Sequence, residues 1–367
     1  MIKGIIFDFD GVIAESIPMK TNAFATLYSD NGADIIQRVV SHHEANGGMS
    51  RFEKIKYYHK TFLNITLTEK GEIIVKSKID NQAVGIINIQ SIEKINDMSK
   101  VAKKWFNTDD KKHPGVKRFI NSGEYILSGK TYLFKEYRQK TKNDYEFSPK
   151  NTREIFYQNG WHNIIGFHTR NIPHKGHEYI QKLALENSSS DAILISPVTG
   201  LKKKGDFTAE IIIKCYEILI RQGCYSPSGV LLSSFNTFSR YSGPREAVFT
   251  AICRKNFGCN YFIVGRDHTG VGKYYNANVS QKIFNNIDLG MTILFFDKAS
   301  YCKKRRKITT QFDKSLYKNS RLELSGTLIR ELLKTHKKIP KYIIQPLLGD
   351  YLKQAYNNNS NKVFIVK

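Results

Sequence analysis

Apolar positions in this chain fall into two regimes. From residue 151 onward, short unbroken apolar runs alternate with stretches whose apolar positions recur at helical spacing. The runs Ile164 to Phe167, Ala192 to Ser196, Val230 to Ser233, Tyr261 to Val264 and Thr292 to Phe296 predict strands. Helices are predicted near His177 to Leu185, Glu210 to Ile220, Pro244 to Asn256 and Thr327 to Leu333. Short buried strands separated by amphipathic helices predict an α/β fold with a doubly wound parallel sheet, whose ligands sit at the carboxyl ends of the strands. The earlier part is different. A strand, Ile2 to Phe9, leads into helical periodicity through Phe24, Tyr28, Ile35, Val39, Phe52, Ile55, Tyr58 and Phe62. From about 84 to 150, alternating runs such as Val84 to Ile89 and Tyr125 to Leu127 are broken by the turn residues His113-Pro114-Gly115 and Ser122-Gly123, which predicts a small mixed β-rich piece. The expected organisation is a strand-plus-helices segment at 1–82, the β-rich domain at 83–150, the α/β domain at 151–345 and a carboxyl-terminal tail at 346–367. In that tail, Asn357-Asn358-Asn359-Ser360-Asn361 reads as a mobile tether, followed by residues able to form a short edge strand.

Composition narrows the class. With 367 residues, 41% of them hydrophobic and 12% aromatic, the chain can bury a large core in two or three domains. It contains no run of about 18 apolar residues, and acidic residues come too early for a signal peptide, so a cytoplasmic protein is expected. Cys215, Cys224, Cys253, Cys259 and Cys302 have neither zinc-site nor disulfide spacing and read as ordinary thiols. The net charge of +24 is scattered. Its densest pieces, Lys202 to Lys204 and Lys303 to Lys307, are short and lack the interleaved aromatics that stack bases. They read as solvated surface, compatible with attracting small anions; neither a nucleic acid nor a membrane is an expected partner.

Candidate chemistry begins where the first strand of the α/β domain meets a helix: Phe167-His168-Thr169-Arg170-Asn171-Ile172-Pro173-His174-Lys175-Gly176-His177. Pro173 suits a first helical turn. The free amides of that turn, with Arg170, His174 and His177, predict a site for an anionic group such as a phosphate. Further polar groups follow other strands: Arg240 after the third, and Gly265-Arg266-Asp267-His268 after the fourth.

Together the segment His168 to His177, Ser239-Arg240-Tyr241-Ser242-Gly243-Pro244-Arg245-Glu246-Ala247, Gly265-Arg266-Asp267-His268-Thr269-Gly270 and Leu324-Ser325-Gly326-Thr327-Leu328-Ile329-Arg330 closely resemble the catalytic domain of ATP sulfurylases. The resemblance starts near Gly85, where His113-Pro114-Gly115-Val116 looks like the end of that family's amino-terminal domain, and runs to about Pro340. It implies a Rossmann-like nucleotidyltransferase joining ATP and sulfate by in-line attack at the α-phosphorus. By matched position, Arg170 would contact sulfate with the Thr269 amide. Thr169, Asn171, His174 and His177 would hold the phosphates, and Gly265, Asp267 and His268 would line the adenosine pocket. Arg266 would stabilise charge. Mg2+ would arrive with ATP, and a homo-oligomer is expected. Ser325, Thr327, Arg330, Arg240 and Arg245 fit either a site or fold support.

Two departures stand out. His168 occupies the position where the family has Gln, which opens the acceptor to another oxyanion, such as a phosphonate or a phosphorylated metabolite. Ile211, Ile212 and Ile213 fall where arginines are expected. Separately, Phe7-Asp8-Phe9-Asp10-Gly11-Val12 resembles the first motif of haloacid dehalogenase-like phosphatases, and Gly47 to Lys54 a cap segment. In such enzymes Asp8 would be the nucleophile and Asp10 the general acid/base, both beside a metal. The remaining motifs are missing, so residues 1–82 are expected to be a remnant used for packing or assembly.

Overall fold

The computed structural model describes residues 24–46, 49, 51–63, 72–77, 81–134, 144–225, 228–265, 268, 270–276, 279–310 and 320–366. The expected first strand with Asp8 and Asp10 lies outside the described residues, as do Gly47, Gly48, Ser50, Arg266, Asp267 and Thr269. The chain forms two compact units, residues 1–98 with 120–142, and residues 99–119 with 143–367. No helix among the described residues is long and apolar enough to cross a membrane.

In the first unit, α1 (Ala33–Ala45) and α2 (Arg51–Thr61) bury Val39 and Tyr58 against Phe24 and Tyr28. Strands β1 (Glu72–Lys76), β2 (Ala83–Lys94) and, later in the chain, Tyr125–Leu133 make an antiparallel sheet. It therefore starts ahead of residue 83. Before the third strand, β3, the chain passes through two helices, α3 (Met98–Phe106) and α4 (Pro114–Asn121), which fall almost wholly in the second unit. His113-Pro114-Gly115 is thus not a turn between strands. Pro114 opens α4, where its missing N–H is no loss, and His113 Nδ1 accepts the N–H groups of Gly115 and Val116 at 3.1 and 3.2 Å.

The second unit contains the parallel sheet. Helix α5 (Pro149–Gln158) precedes β4 (Ile164–Thr169); then come α6 (Lys175–Ser188), β5 (Ala192–Pro197), α7 (Ala209–Arg221), β6 (Gly229–Leu232), α8 (Pro244–Asn256) and β7 (Tyr261–Gly265). After α9 (Val279–Lys282) and β8 (Thr292–Phe296), the short strands β9 (Ser300–Cys302), β10 (Lys307–Thr309) and β11 (Arg321–Glu323) form a small antiparallel sheet. Helices α10 (Gly326–Lys334), α11 (Pro346–Asn358) and α12 (Ser360–Val363) finish the chain.

The main sheet has the order β6-β5-β4-β7-β8, all parallel, as the alternating pattern predicts. Side chains alternate faces. Ile165, Phe167, Ile193, Ile195 and Ile263 join one core with α7 and α10 to α12. On the opposite face Phe262 and Val264 pack with Ala247 and Ala251 of α8, while Ile164 and Leu194 pack with Phe156 of α5. Because β5 and β6 leave β4 on one side and β7 and β8 on the other, the order reverses between β4 and β7. The crevice at their carboxyl ends is where such sheets bind ligands.

Two expectations give way, and one departure gains its reason. Pro173 lies before the N-cap His174 and outside the first turn of α6. Ile211 and Ile212 are core residues, so apolar burial replaces the charged pattern there. The tail is helical: Leu348, Leu352, Val363 and Phe364 join the main core, Asn359 caps α12, and Phe364 bridges to Phe207 with ring centroids 5.1 Å apart. Packing against a large core overrides the weak helix propensity of the asparagines. Truncation Phe364→Ala should therefore destabilise the protein by about 3 kcal/mol and lower its thermal midpoint. A midpoint equal to that of the parent chain would show that the tail is not part of the core.

Candidate active site

The loop leaving β4 is built by its own side chains. The Thr169 hydroxyl donates to the Asn171 carbonyl and accepts the Asn171 N–H, both at 3.1 Å, which closes a tight turn at the strand end. His174 then caps α6: its Nδ1 accepts the His177 N–H at 3.3 Å, and the two imidazoles stack with centroids 3.8 Å apart. The amide of Lys175 is already bonded to the Ile343 carbonyl at 2.8 Å, and that of His177 to His174. Fewer amides than expected are free for an anion, so side chains must supply most of the donors. Gly326, at the start of α10, sits against Asn171; an added Cβ would lie 3.0 Å from Asn171 Oδ1. Ser325 is the N-cap of α10, and Arg330 pairs with Asp206 at 3.0 Å and bonds Thr327. All three are engaged in contacts within the fold.

Arg170 is only partly satisfied at this rim. Its Nη2 donates to the Gly270 carbonyl at 2.5 Å, and the guanidinium lies 4.7 Å over the Tyr241 ring, yet Nη1 is buried without a hydrogen-bond partner. Tyr241, with φ of 59°, is held in this uncommon conformation from both ends. Its carbonyl accepts from Tyr275 at 2.9 Å and from His113 Nε2 at 3.0 Å. His113 must donate from Nε2, because its Nδ1 already accepts two amides. The Tyr241 hydroxyl accepts the Lys203 N–H at 2.8 Å and donates to Asp206 at 3.2 Å. Glu246 completes the brace by accepting the amides of Arg240 and Ser242 at 2.9 and 3.2 Å. Arg240 stacks on Phe238 and Phe249 and bonds Thr237, while Arg245 is exposed. Gly115 must be glycine, since a Cβ there would overlap the Arg240 carbonyl.

Four imidazoles gather at the same end of the sheet; His168, His174 and His268 are buried and His177 is half-buried, and the surroundings of each favour the neutral ring. Burial depresses His177 to about 4, and His268 to about 3 with help from the Arg170 charge. His168 is pushed well down by burial and then by Arg254, and His174 by burial and then by His177. The rings of His168 and His268 are 6.1 Å apart, and Thr250 Oγ1 lies 3.2 Å from His268 Nε2. The geometry thus brings together His168, Thr169, Arg170, His268 and Gly270 at the β4/β7 crevice, with Asn171, His174 and His177 on the adjoining loop and helix start. Gly265 ends β7.

Sequence reasoning missed four residues here. Lys202, grouped with surface lysines, is buried; its Nζ donates to the Val198 carbonyl at 3.1 Å, and burial lowers its ammonium to about 8. His113, Tyr241 and Arg254 were likewise unassigned. The only signal for Lys202 was its closeness to Asp206 along the chain.

Residues 143–355 match the ATP-sulfurylase family model, and residues 61–136 match a PUA-like domain. The chain belongs to the ATP sulfurylase family. It is 43% identical to the sulfate adenylyltransferase of Ignicoccus hospitalis over 67% of this chain and 64% of that protein. Against those of Halothermothrix orenii and Pyrococcus abyssi it is 38% and 39% identical, over 79% and 70% of this chain and 75% and 67% of theirs. In fold it resembles a hexameric APS kinase from Thiobacillus denitrificans, with a TM-score of 0.53 at 16% identity over 80% of this chain and 50% of that one.

A cluster that holds its histidines neutral has a signature in pH. The folded-state values of His177 and His268 lie below the unfolded value of about 6.5, so the unfolded chain takes up protons first as pH falls. Each of the two should cost about 1.4 kcal/mol of stability per pH unit below about 6.5, down to its folded value. Urea unfolding across this window should give a steeper loss for the wild type than for His177→Gln; equal slopes would mean that His177 is not held neutral.

Proposed function

We propose that the protein is a sulfate adenylyltransferase: ATP and sulfate react to give adenylyl sulfate and pyrophosphate. The observation that carries this reading is Arg170, a guanidinium at the switch point of the sheet with a buried, unpaired N–H and no carboxylate partner among the described residues. Such a group favours an anion from outside the protein. Arg170 and His168 would take the sulfate, together with the Thr269 amide. Asn171, His174 and His177 would donate to the triphosphate, with Thr169 shaping the turn that presents them. Gly265, Asp267 and His268 would line the adenosine site, and Arg266 would stabilise developing charge.

A sulfate oxygen then attacks the α-phosphorus in line, a new O–P bond forms as the bond to pyrophosphate breaks, and no protein atom becomes covalently attached. The work left to the protein is holding two repelling anions together and stabilising charge on the α-phosphoryl group and the leaving pyrophosphate. Neutral imidazoles suit this role as hydrogen-bond donors. His168, being neutral, can offer an N–H where the family's Gln would offer an amide N–H. Magnesium enters as part of the substrate, bound mainly through phosphate oxygens. Among the described residues there is no cluster of three or more His, Cys, Asp or Glu that could hold a metal. We also read the molecule as a homo-oligomer acting in the cytoplasm.

Pyrophosphate release from MgATP, measured with sulfate, phosphonates and phosphorylated metabolites in turn, tests the assignment. Sulfate should support release, and Arg170→Ala should lower kcat/KM for sulfate about a hundredfold. Release driven by another oxyanion and not by sulfate would move the acceptor assignment to that class. The Asp8 and Asp10 motif, in a haloacid dehalogenase-like fragment, has a separate mark: magnesium-dependent phosphate release abolished by Asp8→Asn.

A further inference from the structure

Arg254 of α8 has no exposed surface at all, and its Nε, Nη1 and Nη2 have no hydrogen-bond partner. No described carboxylate forms an ion pair with it; its guanidinium rests 4.2 Å over the Phe235 ring and 5.1 Å from that of Phe257. Such a charge is costly to bury unless something compensates it.

Its place in the fold says what it faces. An added Cβ on Gly166 would lie 2.8 Å from Arg254 Cβ and Cγ, so the side chain crosses β4 on the face that Gly166 presents. Two residues on, His168 presents the same face. His168 is in register with Ser196 of β5. The pairing continues through the Ser233 N–H, which donates to the Ile195 carbonyl at 2.9 Å beyond the last pair of β6. His168 Nδ1, Ser196 Oγ and Ser233 Oγ are all buried without partners. Phe235 ties the row to the guanidinium, since its ring also lies 6.2 Å from that of His168. A lone positive charge thus underlies a row of unsatisfied polar groups that ends at His168.

We propose that Arg254 is a specificity-determining residue, which acts through His168 and its field to make the acceptor site favour a dianion over a monoanion. This rests on the reading of His168 and Arg170 as the acceptor site. A fixed charge stabilises a ligand in proportion to the ligand's own charge, so its loss should cost a dianion the square of the factor it costs a monoanion. With an effective dielectric of about 20 and a separation on the order of 10 Å, that factor is about tenfold for one ligand charge. A merely structural residue would affect both anions alike.

The test compares wild type, Arg254→Met and Arg254→Lys for the KM of sulfate and the inhibition constant of perchlorate, a tetrahedral monoanion, against sulfate. In Arg254→Met the sulfate KM should rise about a hundredfold and the ratio of perchlorate inhibition constant to sulfate KM should fall about tenfold. Lysine should restore most of the ratio. Thermal stability of Arg254→Met should equal or exceed that of the wild type, because an unpaired buried charge has been replaced by an apolar chain of similar length. An unchanged ratio, a lysine variant as poor as the methionine one, or marked destabilisation of Arg254→Met would each overturn the inference. Sulfate-dependent release in the wild type with an unchanged ratio would sink this inference alone; no sulfate-dependent release in the wild type would sink the proposed function with it.

Discussion

Desolvation of donors and cations without protein partners is the constraint on which the rest of this structure depends. Arg170 and Arg254 keep N–H groups buried and unpaired, and His168 and His177 each leave Nδ1 unpaired. Folding tolerates such groups only where other burial offsets them, and the parallel sheet provides that burial on both faces. These groups lie at or just beneath the carboxyl end of β4, beside the crevice where the strand order reverses. An anion arriving there meets donors that have already lost their water, which is how a protein can hold two mutually repelling reactants without a covalent step.

The surrounding residues make this arrangement rigid. Tyr241 carries the Arg170 guanidinium on its ring, and its own backbone is fixed by His113, Tyr275 and the Glu246 clamp. Asp206 joins the Tyr241 hydroxyl to Arg330 of α10, so the helix that packs on Asn171 and the loop that supports Arg170 share one carboxylate. Segments far apart in the chain thereby fix the geometry of a single rim. The ion pair is of the partly buried kind, in which the loss of one partner costs more than the pair contributes.

Much of the α/β domain was legible in the sequence, because buried strands and amphipathic helices leave different periods. All five strands of the main sheet and the helices α6, α7 and α8 follow from that contrast, and the polar residues after β4 follow from the rule for open parallel sheets. What escaped was set by tertiary packing. The asparagine-rich end is helical because Val363 and Phe364 find a core to enter, and Pro114 begins a helix because His113 caps it. Lys202 looks like any surface lysine until the Val198 carbonyl and Asp206 are placed around it. Arg254, within an unremarkable helical stretch, gains its meaning only from the absence of a side chain at Gly166.

The imidazoles of the rim are donors and not cations. Nitrogen NMR of the imidazole rings, with each of His168, His174, His177 and His268 assigned through its glutamine variant, reads this directly. His177 and His268 should keep the neutral signature down to about pH 5 in the ligand-free protein, and His168 and His174 should stay neutral below the ordinary imidazole range. Titration of His168 or His177 near the ordinary value of about 6.5 would contradict the account, because the rim would then be solvated and its charge supplied by protons and not by the lone guanidinium groups.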